Sequence, residues 1–314
     1  MPQGKVLITG AAGLLGGALI EAAPAGVMVL AQTRRLALPA NLRAKAVAEE
    51  RLDLLDEASL GDCFQRHAPA GVIHAAARTS AAACEDDPEG ARRDNVEASA
   101  RLARLCAQAR ILLVQISTDL VFDGRHAPYR EDAPTAPLGV YGRTKAQAEE
   151  LALGCERGLV LRLPLLLGPS PVGRRSPDEQ LAQAARRCAQ VTLFHDEYRS
   201  PIHALAAARL IWELLALAEG SAPREGRTRG VGGLIHVAGR DRVSRWELGL
   251  AIAQRLGLDT AFLRSASLKE FTGRPPRPPD LTLDTSRLAA LLGRPAPTLA
   301  ESLALPLGQA GEAG

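Results

Sequence analysis

At 314 residues with 46% hydrophobic content, the chain carries apolar material for one large core and a smaller lobe, which excludes the disordered class. Its 38 basic and 35 acidic residues leave a net charge of +3 with no run of like sign, so a polyanion-binding tail is excluded and nucleic acid is not an expected partner. Five cysteines (Cys63, Cys84, Cys106, Cys155 and Cys188) without a C-x-x-C pair point to reduced thiols, and no residue cluster predicts a metal site.

The first apolar run, Val6 to Ile20, is broken by four glycines and preceded by no basic cluster, so we expect neither secretion nor a membrane span but a cytoplasmic protein. Within it KVLIT predicts a strand and Leu14 to Ala23 a helix. VMVLAQ predicts the second strand, RLDLLD at Arg51 to Asp56 the third, and GVIHA the fourth. A helix from Glu89 to Ala109, the strand ILLVQIS, a helix from Tyr141 to Leu153 and the strand GLVLRL follow. Strands that are continuously apolar and alternate with helices belong to a parallel sheet covered on both faces. The expected fold is therefore α/β, a doubly wound parallel sheet of the Rossmann type.

After Pro164 the rhythm breaks. A Gly-, Pro- and Arg-rich stretch from Gly168 to Pro177 precedes a helix and the strand VTLF at Val191 to Phe194. A helix from Ala204 to Ala218, an Arg/Gly-rich loop at Ala222 to Gly233, a strand at Leu234 to Val237 and a helix capped by Ser244 come next. RPPRPPD at Arg274 to Asp280 must be a loop, because proline lacks the amide donor. The expected division is a dinucleotide-binding domain over 1–168, with elements at about 196–240 returning to it, and a smaller substrate lobe from 169–195 and 241–308.

TGAAGLLG sets Gly10, Gly13, Leu14, Leu15 and Gly16 at a strand-to-helix turn. Glycines there permit a tight turn and let helix amides meet a pyrophosphate, although a turn tight only for packing gives the same pattern. Where an NAD site places Asp or Glu, the second strand ends in Gln32, Thr33, Arg34 and Arg35, and two guanidiniums suit a 2′-phosphate. Lysine occurs only four times here, so arginine is the ordinary cation and a merely solvated pair remains open. Asp53 and Leu54 should meet the adenine, and Ala75, Ala76 and Ala77 should pass under the cofactor. His74 is expected to be a strand-end histidine hydrogen-bonded to the backbone rather than a catalytic one.

ISTDLVFDG at Ile116 to Gly124 ends the fifth strand, and YGRTK then sets Tyr141 and Lys145 four residues apart on one helical face. An ammonium beside a phenol is expected to lower the phenol's pKa toward the working pH, with Thr118 bonding the same carbonyl oxygen. Thr118, Tyr141 and Lys145 are the expected catalytic trio, the last two also touching the cofactor.

These residues, with EDAPTAPLGVYGRTK, RLPLLLGP, DEYRSP and RPPDLTLDTSRL in order, resemble the extended short-chain dehydrogenases, and within them the dTDP-4-dehydrorhamnose reductase branch. The resemblance implies NADP, with NAD as the other cofactor the fold admits, a nucleotide-sugar substrate, a homodimer, and hydride transfer to a 4-keto carbon with Tyr141 giving the proton. Asp119 joins Thr118 in the implied substrate set. Arg199 and Arg274 are its candidate phosphate contacts, Arg199 being equally open to a structural ion pair. Leu165 stands where that branch carries an aromatic residue, and Ala81 and Ala82 where it carries Val-Asp, so substrate and local support are expected to differ. The alternatives are an epimerase or dehydratase with bound NAD, and a non-catalytic NADP-binding subunit resembling the regulatory subunit of methionine adenosyltransferase.

Overall fold

The computed structural model describes residues 4–173, 175–220 and 233–308. Seven parallel strands form its centre: β1 (Lys5–Thr9), β2 (Met28–Thr33), β3 (Ala48–Arg51), β4 (Gly71–His74), β5 (Leu112–Thr118), β6 (Gly158–Leu163) and β7 (Gly233–His236). Their order is β7-β6-β5-β4-β1-β2-β3, so the chain winds outward in both directions from β1 and β4. Ligand clefts in open α/β sheets lie at that reversal, outside the carboxyl ends of the strands.

The sheet is apolar on both faces because both are covered. One face buries Val6, Ile8, Val29 and Val114 beneath the helices Leu14–Glu21 (α1) and Ala204–Gly220. The other buries Leu7, Leu30, Val72 and Leu113 beneath Glu57–His67 and Ala98–Ala109. Trp212 locks the first layer, its Nε1 donating to the Leu19 carbonyl at 2.9 Å. A separate apolar cluster collects Leu167, Leu181, Leu193, Leu248 and Ile252. The late residues Leu288 and Ala296, expected in that lobe, instead join the large core under the main sheet.

Three further expectations are corrected. The third strand is AEER at Ala48–Arg51, not RLDLLD, most of which forms the turn beyond it. The helix expected from Glu89 to Ala109 is three pieces: Pro88–Arg92, a π turn at Arg93–Glu97, and Ala98–Ala109. The Arg/Gly-rich loop lies, up to residue 232, outside the described residues, and the strand begins at Gly233 rather than Leu234.

Candidate active site

A cleft of about 570 Å³ runs past the exits of β1, β4, β5 and β6. Its floor is the glycine turn. Gly10 sits at φ +66°, and a Cβ there would stand 2.7 Å from the Cα of Ala76; a Cβ on Gly16 would stand 2.2 Å from the Gly10 carbonyl oxygen. The turn therefore closes against Ala75, Ala76 and Ala77, which line the cleft with Gly13, Leu14 and Leu15. Helix α1 starts with Gly13 as its cap, with no side-chain acceptor and no acidic residue in the first turn. Its free amides and positive dipole end are left for an anion, which fits a dinucleotide's diphosphate.

At the other end lie Gln32, Arg34, Arg35, Asp53 and Leu54. The Gln32 amide braces the turn, accepting from Gly10 N at 3.0 Å and donating to the Leu52 carbonyl at 2.8 Å. Thr33, expected to meet the cofactor, lies outside the cleft lining: it is buried and donates to Glu49 Oε1 at 3.0 Å. Strand alternation turns it toward β3 while its neighbours face the cleft. Arg34 lies 3.0 Å from Asp94 Oδ1 and 3.9 Å from Asp53 Oδ2. Arg35 has no carboxylate partner among the described residues.

Thr118, Tyr141 and Lys145 come together at the β5 exit. Thr118 Oγ1 accepts from Leu120 N at 3.2 Å, donates to Asp119 Oδ1 at 3.1 Å, and contacts the Tyr141 phenol. Tyr141 and Lys145 ride the helix Val140–Leu153, whose first amide donates to Glu85 Oε1 at 2.6 Å. That helix is also tied from below by the π turn: Asn95 Nδ2 donates to Thr144 Oγ1 at 3.0 Å, and Thr144 to the Tyr141 carbonyl at 2.8 Å.

Burial pulls the Lys145 ammonium down to about 8, against the opposing attraction of Glu149. Glu149 is itself held by a buried bidentate pair with Arg162, at 2.9 and 2.7 Å. The Tyr141 phenol moves opposite to expectation. Burial, then the Asp119 and Cys84 charges, push it well above its ordinary value, only partly offset by the Thr118 hydroxyl. The charge this phenol faces is Asp119, so the protonated form is favoured.

His74 is structural. Its ring lies 2.7 Å from Thr9 Oγ1 and 3.2 Å from Ser99 Oγ, and burial with the nearby Lys145 holds it neutral, down to about 3. Its partners are side-chain hydroxyls rather than the backbone groups expected.

The remaining substrate candidates lie outside the cleft lining, Asp119 directly behind Thr118 and three others elsewhere. Arg199 is buried, donating to Glu197 Oε1 at 2.9 Å and to the Tyr198 and Pro278 carbonyls, so of its two open roles the internal ion pair is the one observed. Arg274 and Arg277 are both exposed, and it is Arg277 whose guanidinium reaches the buried Glu197, bidentate at 2.8 and 2.9 Å. Leu165 packs into the Leu181–Leu193 cluster, while its neighbours Pro164 and Leu166 line the cleft. Asn95, Asp94, Arg78, Pro164 and Arg175 were not anticipated as site residues. For Asn95 and Asp94 the signal would have been a polar pair inside an otherwise amphipathic helix.

A doubly wound sheet, a glycine-lined cleft and a Thr-Tyr-Lys cluster at its end define a protein of the short-chain dehydrogenase type. The RmlD substrate binding domain family model matches residues 4–310, and the chain belongs to that family. It is 32% identical over 292 residues to the methionine adenosyltransferase 2 subunit beta of Xenopus laevis, covering 92% of this chain and 82% of that one. Among solved structures it is similar to a hypothetical dTDP-4-dehydrorhamnose reductase from Sulfolobus tokodaii, at TM-score 0.77 and 30% identity, covering 92% of this chain and 95% of the other. It is also similar to MoeE5 in complex with UDP-glucuronic acid and NAD, at TM-score 0.77 and 28% identity, covering 96% and 97%. No helix among the described residues is long and apolar enough to cross a membrane.

Proposed function

We propose that the chain is an NADPH-dependent reductase of a 4-keto nucleotide sugar. The observation that carries this reading is the convergence of Thr118, Tyr141 and Lys145 at the end of a cleft whose other end offers guanidiniums. Bound NADPH would supply the hydride to the carbonyl carbon. Thr118 polarises the carbonyl oxygen by hydrogen bonding, and Tyr141 passes its proton to that oxygen as charge develops. Burial and Asp119 keep the phenol in its protonated form, the form that a proton donor to the carbonyl oxygen must start from. Lys145, next to it on the helix, holds the nicotinamide ribose and recharges the phenolate. Arg34 and Arg35 serve the 2′-phosphate, and NAD is the cofactor accommodated when that phosphate is absent. The nucleotide-sugar class is supported by MoeE5, whose structure holds UDP-glucuronic acid. A cytoplasmic homodimer completes the reading, checked by fractionation and light scattering.

A second reading, a non-catalytic NADP-binding regulatory subunit, is favoured by the likeness to methionine adenosyltransferase 2 subunit beta and by the internal commitment of Arg199 and Arg277 to Glu197. Retention of the whole trio favours the enzyme. The test is oxidation of NADPH in the presence of 4-keto dTDP- and UDP-sugars, with Tyr141→Phe as the blank. Turnover that the variant lacks supports the reductase. Tight NADPH binding with no turnover on any such sugar, and full biological activity of Tyr141→Phe, would establish the regulator instead. Protein purified with firmly held NAD would point to an epimerase or dehydratase.

A further inference from the structure

Five cations line the cleft: Arg34, Arg35, Arg78, Lys145 and Arg175. Two are already balanced: Arg34 pairs with Asp94, and Arg78 with Asp87 at 2.7 Å and Asp94 at 3.1 Å. Lys145 stands within the Thr-Tyr-Lys cluster, and the Glu149 that attracts it is held by Arg162. Arg35 and Arg175 have no carboxylate partner among the described residues, so each brings a whole positive charge to the cavity. Arg35 stands at the adenosine end, beside Arg34 and Leu36. Arg175 arrives from another part of the chain, on the segment that follows β6.

That segment is anchored on either side of Arg175. Gly168 N donates to both Asp178 oxygens, at 3.1 and 3.2 Å, and Ser170 Oγ to Glu179 Oε2 at 2.8 Å. The Arg175 amide donates to the same Glu179 Oε2 at 2.6 Å, and Ser176 closes a capping box with Glu179. Pro171 rests on the first turns of α1, its Cγ 3.1 Å from where a Gly17 Cβ would be. The backbone is thus fixed beside the diphosphate-binding end of α1 while the Arg175 side chain stays exposed in the cleft. The glycine turn itself contributes no side-chain cation to a ligand that carries two charged phosphates.

We propose that Arg175 is the diphosphate-binding cation of the cleft, gripping the dinucleotide's diphosphate against the first-turn amides of α1, while Arg35 takes the 2′-phosphate. This rests on the cofactor reading above and adds a division of labour to it. A guanidinium matches two phosphate oxygens with parallel N–H donors, and the Arg175 contact is common to NADP and NAD because the diphosphate is.

Calorimetric titration of the full-length protein with NADPH, NADH and adenosine 2′-monophosphate, for wild type, Arg175→Ala, Arg175→Lys and Arg35→Ala, separates the two roles. Arg175→Ala should weaken NADPH and NADH alike, by about tenfold, and leave adenosine 2′-monophosphate unchanged. Arg175→Lys, keeping charge but not the fork, should lose less. Arg35→Ala should weaken NADPH and adenosine 2′-monophosphate but not NADH. Unchanged NADPH and NADH affinities in Arg175→Ala would overturn the proposal, as would a loss confined to the nucleotide sugar's KM, which would assign Arg175 to the substrate's diphosphate. Failure of the wild type to bind either dinucleotide would overturn the cofactor reading and this inference with it, an outcome distinct from a silent Arg175 variant in a protein that binds both.

Discussion

Asp119 Oδ2 and Arg199 Nε stand 3.8 Å apart inside the fold, and that carboxylate oxygen accepts no hydrogen bond. Arg199 gives its Nη groups to Glu197 and to two carbonyls, so what Asp119 has to set against burial is the through-space attraction of Arg199, the Thr118 hydroxyl on its other oxygen and backbone amides. Burial wins and lifts its pKa from 3.8 to about 6. A carboxyl with a raised folded-state pKa binds its proton more tightly folded than unfolded, so its contribution to stability falls as pH rises from 3.8 to about 6. Asp119→Asn should therefore raise the melting temperature at pH 7.5, by up to roughly 3 kcal/mol of stability, and the gain should vanish by about pH 4. Thermal melts of both proteins across that range check it; a difference independent of pH would show that Asp119 does not titrate in this way.

Tyr141→Phe removes the phenol that serves as proton donor in the proposed reduction and leaves the glycine turn as it is. Turnover on a 4-keto sugar should drop by about 10² to 10⁴-fold while calorimetric NADPH affinity changes little. An equal loss of binding would mean that the phenol serves the cofactor rather than the carbonyl.

The buried imidazoles of His74 and His236 act in the opposite sense to Asp119. Burial holds them down to about 3 and about 4 against 6.5 when exposed, so the unfolded chain takes up their protons first as pH falls. The stability of the neutral forms is present above 6.5 and is lost progressively below it, at roughly 1.4 kcal/mol per pH unit for each ring. With two such rings against one carboxyl, net stability should fall on acidification below pH 6. Urea unfolding at several pH values should show a shallower acid slope for His74→Asn than for wild type.

Gly16→Ala places a methyl 2.2 Å from the Gly10 carbonyl oxygen and 2.7 Å from the Ala11 Cα, both fixed backbone. The turn must open to admit it, at a cost of about 1–3 kcal/mol in stability. Dinucleotide affinity should fall at the same time, because the first-turn amides move with the turn. Denaturant unfolding and NADPH titration of the variant measure the two effects; a stable variant that binds normally would show that the close approach is not needed.

The parts of the site legible in the sequence were those whose chemistry is local. Gly10, Gly13 and Gly16 are needed by one turn, and Tyr141 with Lys145 share one helical face, so spacing alone locates them. Arg199 was not decided by sequence, because its fate depends on Glu197 and on Asp119, which lies 80 positions earlier in the chain. Leu165 packs in the lobe core while Pro164 and Leu166 line the cleft, because a single step along an extended segment exchanges one for the other. The third strand was missed for a different reason: AEER lies at the sheet edge, where only half-burial is required and the apolar signal disappears. The phenol's raised pKa was likewise hidden, since it comes from Asp119 and burial rather than from the neighbour in the motif.

The π turn at Arg93–Glu97 makes chain length itself part of the site. It aims Asp94 at Arg34 and Arg78 while Asn95 reaches Thr144 and the Arg78 backbone. A wider turn accommodates one residue more than regular α-helix would, so deleting a single residue there would restore ordinary winding, leave the helix on either side in register and re-aim the side chains of the turn itself. The Asp94 and Asn95 attachments would then be disturbed together, one at each end of the cleft. A deletion in this stretch should therefore cost the site more than it costs the fold.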